Sequence, residues 1–96
     1  MTHRTQLSQE DEGLRRATRD DRIRAGLAYA ISRLRDPRAH HEMTSAARMA
    51  IAQRYGTDTL GWTDEAEELI RDLLGAMPEI TREITRGEYA LILDRA

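Results

Sequence analysis

Apolar residues recur at every third or fourth position along most of the chain, which is the spacing of one face of an amphipathic helix. The first clear stripe consists of Ile23, Leu27, Ala30, Ile31 and Leu34. Asp36-Pro37 follows this stripe. Because proline is tolerated at the first position of a helix behind an acidic cap, this pair predicts that one helix ends there and another begins.

Two helix starts are predicted before the stripe. Ser8-Gln9-Glu10-Asp11 and Thr18-Arg19-Asp20-Asp21 each place a hydroxyl before acidic residues, which is the arrangement of an N-cap followed by a first turn that suits the helix dipole. Either a short helix over 9–17 precedes a longer one, or the two form a single helix.

The third segment, over about 38–55, has a shallow apolar face. Its members are Ala39, Met43, Ala46, Ala47, Ala50 and Ile51. Such small side chains permit close helix approach but remove little surface from water. Gly56 suits the residue that follows a helix end, so residues 57–62 are predicted to form the longest connection.

The fourth helix is predicted to begin after Thr63 and has the strongest stripe in the chain. Its apolar face comprises Ala66, Leu69, Ile70, Leu73, Leu74 and Met77. Pro78 interrupts it, and a final helix is predicted to carry Ile80, Ile84, Leu91 and Ile92 on one side. Gly87 would then lie in the middle of this helix, at a cost of about 1 kcal/mol relative to alanine.

These elements predict an all-α protein, a compact bundle of four to five short helices in one domain over 1–96, with 1–7 as a flexible tail. Composition agrees, because the 96 residues include no valine and only four aromatic side chains, and strands favour these types. The few large apolar residues make a marginal core. Self-association is therefore expected, most simply as a homodimer.

Charge is divided unequally between the two halves. Residues 1–54 contain eleven arginines and seven acids, a balance of +4, whereas 55–96 contain four arginines and ten acids, a balance of −6. All fifteen basic residues are arginine. A GC-rich genome explains this bias as simply as selection for the arginine fork does.

The basic half places an arginine row beside an aromatic ring on the second predicted helix: Arg15, Arg19, Arg22, Tyr29 and Arg33. Such a row suits a phosphate backbone, with the tyrosine available for base stacking. The alternative is a solvated helix rim whose side-chain stems cover apolar surface. Asp20 is also spaced to pair with Arg24 along the helix.

The acidic half places four carboxylates on the face opposite Leu69 and Leu73: Asp64, Glu65, Glu68 and Asp72. Three interpretations stay open. The face is a dipole-favoured, water-facing surface, or it docks on the arginine row within the chain or across a dimer, or it binds a basic groove on another protein.

The sequence gives little support for catalysis or for metal binding. His40 and His41 are adjacent, so on a helix they point about 100° apart and do not converge on one ion. Ser8, Ser32 and Ser45 lie in no nucleophile motif, and cysteine is absent. We expect no metal, no cofactor and no independent catalysis, with an accessory subunit of an enzyme left open.

Residues 56–60, Gly-Thr-Asp-Thr-Leu, resemble the Gly-x-Asp-Ser-Leu attachment motif of acyl carrier proteins, which are small acidic helical bundles. Thr59 stands where that family has the serine that carries phosphopantetheine. We therefore interpret this segment as a turn.

Trp62, the single tryptophan, has two interpretations. It covers the core as a hydrophobic staple on the fourth helix, or it anchors an interface, as aromatic side chains often do.

The sequence as a whole favours a non-catalytic protein-protein interaction module acting through charged helix faces, for instance a small bacterial or phage regulator or inhibitor. A nucleic-acid-binding regulator is the alternative, although the long 56–62 connection disfavours a helix-turn-helix, whose turn has three to four residues. The chain lacks an apolar leader and any membrane-length apolar run. We therefore expect a cytoplasmic location and no membrane association.

Overall fold

The structure is a computed structural model that describes the backbone of residues 2–35 and 38–95 and the side chains of 18–35 and 38–95. Its helices are α1 (Thr2–Arg35), α2 (Ser45–Leu60), α3 (Asp64–Ala76) and α4 (Arg86–Arg95). The all-α prediction is confirmed for this described part, which contains four helices and no β-strand. None of these helices is long and apolar enough to cross a lipid bilayer.

The first helix is a single element of 34 residues, so the expectation of short helices is wrong here and the continuous alternative is confirmed. Ser8 and Thr18, which predicted helix starts, both lie inside α1. A cap sequence only permits a start, and no proline interrupts the chain before Pro37. The flexibility expected of residues 1–7 stays a prediction, because their side chains lie outside the described residues.

The core lies where the second half of α1 packs against α3 and α4. Leu34 and Leu73 are fully buried in it, together with Tyr89 of α4. The Tyr89 hydroxyl donates a hydrogen bond of 2.5 Å to the carbonyl of Pro78, and burial raises the pKa of this hydroxyl. Leu93 of α4 is buried in the same core.

The entry into α2 differs from the prediction. The helix begins at Ser45, where the Thr44 hydroxyl accepts a hydrogen bond of 3.0 Å from the Ala47 amide. The predicted start at 38 is wrong because the preceding residues pair with another part of the chain. The Met43 amide donates to the Ile84 carbonyl at 2.9 Å. Asp36-Pro37 lies outside the described residues.

The exit from α2 also differs. The helix continues to Leu60, and Gly61, with φ 71°, ends it by donating its amide to the Thr57 carbonyl. Gly56 instead lies inside the helix against α3, where an added Cβ would be 2.3 Å from the Ile70 side chain. The connection between α2 and α3 is therefore residues 61–63, and the predicted loop over 57–62 is wrong.

The third helix follows its prediction closely. The Thr63 hydroxyl accepts from the Ala66 amide at 3.1 Å, and Leu69, Leu73 and Met77 are buried. Arg48 of α2 caps the C-terminal end of α3. Its guanidinium donates to the carbonyl of Leu74 at 2.6 Å and to that of Met77 at 2.7 Å, which satisfies carbonyls that lack helical partners.

The last helix is shorter than predicted. Residues 77–85 form an irregular connection, and α4 starts at Arg86. The Thr85 hydroxyl accepts from the Glu88 amide and the Glu88 carboxylate accepts from the Thr85 amide, both at 3.1 Å. This capping box lowers the pKa of Glu88. Gly87 is therefore near the helix start, where its amide donates to the Ala39 carbonyl at 2.8 Å.

Substitution of Gly56 tests the close contact between α2 and α3. We expect Gly56→Ala to lower the free energy of unfolding by about 1–3 kcal/mol, because overpacking outweighs the gain in helix propensity. Gly75→Ala is the matched control, since a Cβ at this helical glycine meets nothing within 4 Å. It should be neutral or raise stability by up to about 1 kcal/mol. Urea unfolding followed by circular dichroism measures both, and equal effects would contradict the contact.

Candidate protein-interaction surface

One side of α2 is left exposed because α1 and α3 pack on two other sides. The Tyr55 hydroxyl donates to the Arg22 carbonyl of α1 at 2.8 Å, whereas Gly56 faces Ile70 of α3. Consecutive helical residues point about 100° apart, so these two contacts fix two flanks of α2. The remaining side borders an open depression of about 1180 Å³, which we call the α2 groove.

Side chains from all four helices line the α2 groove. From α2 itself it is lined by Ala47, Ala50, Ile51, Gln53, Arg54, Thr57 and Asp58. Arg54 and Asp58 pair with each other at 2.9 Å, and this hydrogen-bonded carboxylate raises the pKa of Arg54. The centre of the groove therefore contains small side chains and a charge pair that is neutral as a unit.

Trp62 lies at the corner between α2 and α3, and the residue is 94% exposed. The staple interpretation is wrong, because a staple must contact the core. Gly61 turns the chain at a positive φ and Thr63 immediately caps α3, so the indole between them is left outside the bundle. The anchor interpretation stays a prediction, and Trp62 lines one end of the α2 groove.

The acidic face of α3 is exposed in part. Asp64, Glu65 and Glu68 are exposed, whereas Asp72 is half-buried. Among the side chains of 18–35 and 38–95, no ion pair joins these four carboxylates to an arginine. Docking of this face on the arginine row of its own chain is therefore not observed within the described residues.

The arginine row lies on α1, but its aromatic member is already in contact with other side chains. Arg19 and Arg33 are exposed and Arg22 is half-buried, while the Arg15 side chain lies outside the described residues. The ring of Tyr29 is 5.5 Å from that of Tyr55, with the Arg33 guanidinium 6.0 Å from its centre.

The expected Asp20–Arg24 pair is also not seen. Arg24 instead contacts Asp21 at 3.8 Å, and both side chains are exposed. An exposed pair at this distance contributes little to stability.

The turn length that disfavoured a helix-turn-helix in the sequence is not observed, because three residues join α2 to α3. The charge of α3 supplies a different objection. In the position of a recognition helix, its first turn carries Asp64, Glu65 and Glu67. Carboxylates there oppose the negative phosphates that flank a DNA groove.

The two adjacent histidines lie in the turn before α2 rather than on a helix, with ring centres 4.5 Å apart. Across the described side chains, no group of three histidine or acidic residues is placed to hold a metal ion. Residues 56–60, predicted to form a turn, are the last turn of α2.

Two arginines at the other end of the α2 groove were not singled out from the sequence. Arg38 is exposed, and Arg86 is half-buried with its Nε atom buried and without an acceptor in the described structure. Both line the groove. The Thr-x-x-Glu spacing of Thr85 and Glu88 could have predicted the start of α4, because a capping box at these residues places Arg86 at the first position of the helix.

Comparison with known proteins adds no functional assignment. No protein-family model matches the chain, and neither a curated protein nor a solved structure shows significant similarity to it. Function is therefore inferred from the surface itself.

Substitution of Trp62 tests its exposure in solution. Trp62→Ala should change the free energy of unfolding by no more than about 0.5 kcal/mol, because an exposed side chain away from the core contributes little. Leu69→Ala, at a site that is 3% exposed, is the control and should cost about 2–5 kcal/mol. Denaturant unfolding compares them. If Trp62→Ala lowers the free energy of unfolding by several kcal/mol, the staple interpretation is correct after all.

Proposed function

We propose that this chain is a non-catalytic protein-binding module whose contact surface combines Trp62 with the acidic face of α3. The observation that supports this most is the near-complete exposure of the indole. Tryptophan is the residue type most enriched among side chains that dominate interface energies. Its large apolar area stabilises an interface only when a partner covers it.

The acidic face favours a partner with a basic surface. Three exposed carboxylates and the half-buried Asp72 on a 13-residue helix create a local negative field that steers a basic partner toward Trp62. Surface charges of this kind contribute more to the rate and orientation of association than to affinity. A small regulator or inhibitor that covers a basic groove on another protein is the form of this function that the surface suits best.

The exposure of the same carboxylates supports a binding function over catalysis. A general acid requires a carboxyl group that is removed from water, whereas Asp64, Glu65 and Glu68 are exposed. The α2 groove is also open, so it does not exclude water from a reacting group.

Partner capture with matched variants tests this proposal. Trp62→Ala should weaken binding at least about tenfold, the loss that corresponds to about 1.4 kcal/mol, and Glu65→Gln/Glu68→Gln should slow association and reduce its salt dependence. Glu79→Gln/Glu83→Gln removes the same charge at exposed positions outside the face and should leave binding unchanged. Affinity capture with quantitative mass spectrometry identifies the partner, and biosensor kinetics measure the changes.

If the tryptophan variant and the α3 variant both retain every partner at wild-type affinity, this surface is not the binding site.

Nucleic-acid binding, the alternative function, is tested separately. A titration of DNA and RNA at rising salt should show affinity falling steeply, and Arg19→Ala and Arg22→Ala should weaken binding and reduce the salt slope. Absence of binding at low salt excludes this alternative. If the same variants retain a partner protein, the arginine row is not the site that binds this protein.

A further inference from the structure

We propose that a second copy of this chain binds across the exposed side of α2, with the two α2 helices antiparallel and Trp62 of each copy at the far end of the other. This inference rests on the proposed function, because it uses Trp62 as an anchor and names a partner. Opposite charges at the two ends of the α2 groove are its main support.

The end of the groove at the start of α2 is basic. The Arg86 amide donates to the His41 carbonyl at 2.8 Å, and the Met43 amide donates to the Ile84 carbonyl at 2.9 Å. These bonds hold the start of α4 beside the segment that enters α2. Arg38 and Arg86 therefore both lie near the N-terminal end of α2, where they line the groove.

The end of the groove at the exit of α2 is acidic and aromatic. Trp62 follows the last residue of α2 by two positions, and Asp64 and Glu67 stand in the first turn of α3. All three line the same groove as the arginines. The basic and the acidic ends are separated by a helix of 16 residues, or about 24 Å at 1.5 Å per residue.

Two-fold symmetry makes such a surface complementary to itself. An axis that crosses the middle of α2 exchanges its two ends between the copies, so each contact occurs twice. The basic end of one chain then lies over the acidic end of the other. Within one chain the same groups lie toward opposite ends of α2, and no ion pair joins them among the described side chains.

The middle of α2 permits this approach. Ala46, Ala50 and Gln53 are exposed and Thr57 is half-buried along one side of the helix, at the alternating four- and three-residue spacing with which helices pack side by side. Small side chains there allow the helix axes to come close. Arg54 is already neutralised by Asp58, so no unpaired charge from this pair lies at the crossing point.

Arg86 adds a guanidinium to the basic end of the groove. Its side chain is half-buried and lines the groove, and no ion pair joins it to a carboxylate among the described residues. A carboxylate such as Glu67 of a second copy would accept hydrogen bonds from the accessible part of this guanidinium, beside an indole that stacks on it. An acidic peptide would neutralise only the basic end, and a basic protein only the acidic end. A second copy neutralises both.

Charge exchange between variants tests the second copy. Wild-type chain should form a dimer in light scattering and sedimentation equilibrium, and E67R and R86E should each weaken it at least about tenfold, because like charges then face each other twice. An equimolar mixture of the two variants should form a heterodimer, since both of its contacts then join opposite charges.

Two further variants at exposed positions separate loss of the dimer from loss of the fold. R38E changes an exposed arginine of the basic end and should act like R86E, and it should pair with E67R in the same way. E79R reverses a charge outside the groove and should leave the dimer intact. Circular dichroism confirms the fold of each variant.

Three outcomes would overturn the inference: a wild-type monomer at the highest soluble concentration, a dimer unaffected by E67R, or weakened variants that do not recover on mixing. A monomer whose capture of another protein still depends on Trp62 overturns the second copy and leaves the proposed function in place. A charge-exchangeable dimer unaffected by Trp62→Ala supports the second copy and overturns the role of Trp62 as anchor.

Discussion

The close approach of α2 and α3 at Gly56 is the contact on which the rest of the surface depends. An added Cβ would be 2.3 Å from the Ile70 side chain, so only glycine lets the helices come this near. With α3 on this flank of α2 and α1 held to the adjacent flank by Tyr55, the opposite side of α2 is left uncovered by the described residues. Gly61 then turns the chain so tightly that Trp62 is left outside. The groove and its exposed indole thus follow from the positions of two glycines.

Local signals predicted α3 almost completely. Thr63 supplies the cap, and Leu69 and Leu73 continue a stripe whose burial requires only a neighbouring helix. The acidic face was predictable for the same reason, because it is the reverse of that stripe. Helix starts were less predictable, since Ser8 and Thr18 have cap chemistry but lie inside α1. Whether a hydroxyl caps a helix depends on what the chain before it contacts.

Tertiary contacts decided the features that the sequence left ambiguous. Gly56 and Gly61 both suit a helix end. Because Gly56 packs against Ile70, the helix continues past it and ends at Gly61 instead. The same choice sets the length of the connection, and with it whether Trp62 packs on the core or is exposed. Arg86 was missed because its place in the groove depends on pairing between the segment before α2 and the segment before α4. Periodicity within one helix contains no information on such pairing.

Charge separation supports the proposed association of two copies over pairing of the same charges within one chain. The basic and acidic ends of the groove lie toward opposite ends of α2, a helix of 16 residues that is about 24 Å long, whereas the Debye length is about 8 Å at physiological salt. They therefore do not neutralise each other within one chain, although the net charge is only −2. That small net charge produces little overall repulsion between two copies, while each end attracts its opposite locally. Separated charges on a near-neutral chain thus favour the antiparallel orientation proposed for two copies.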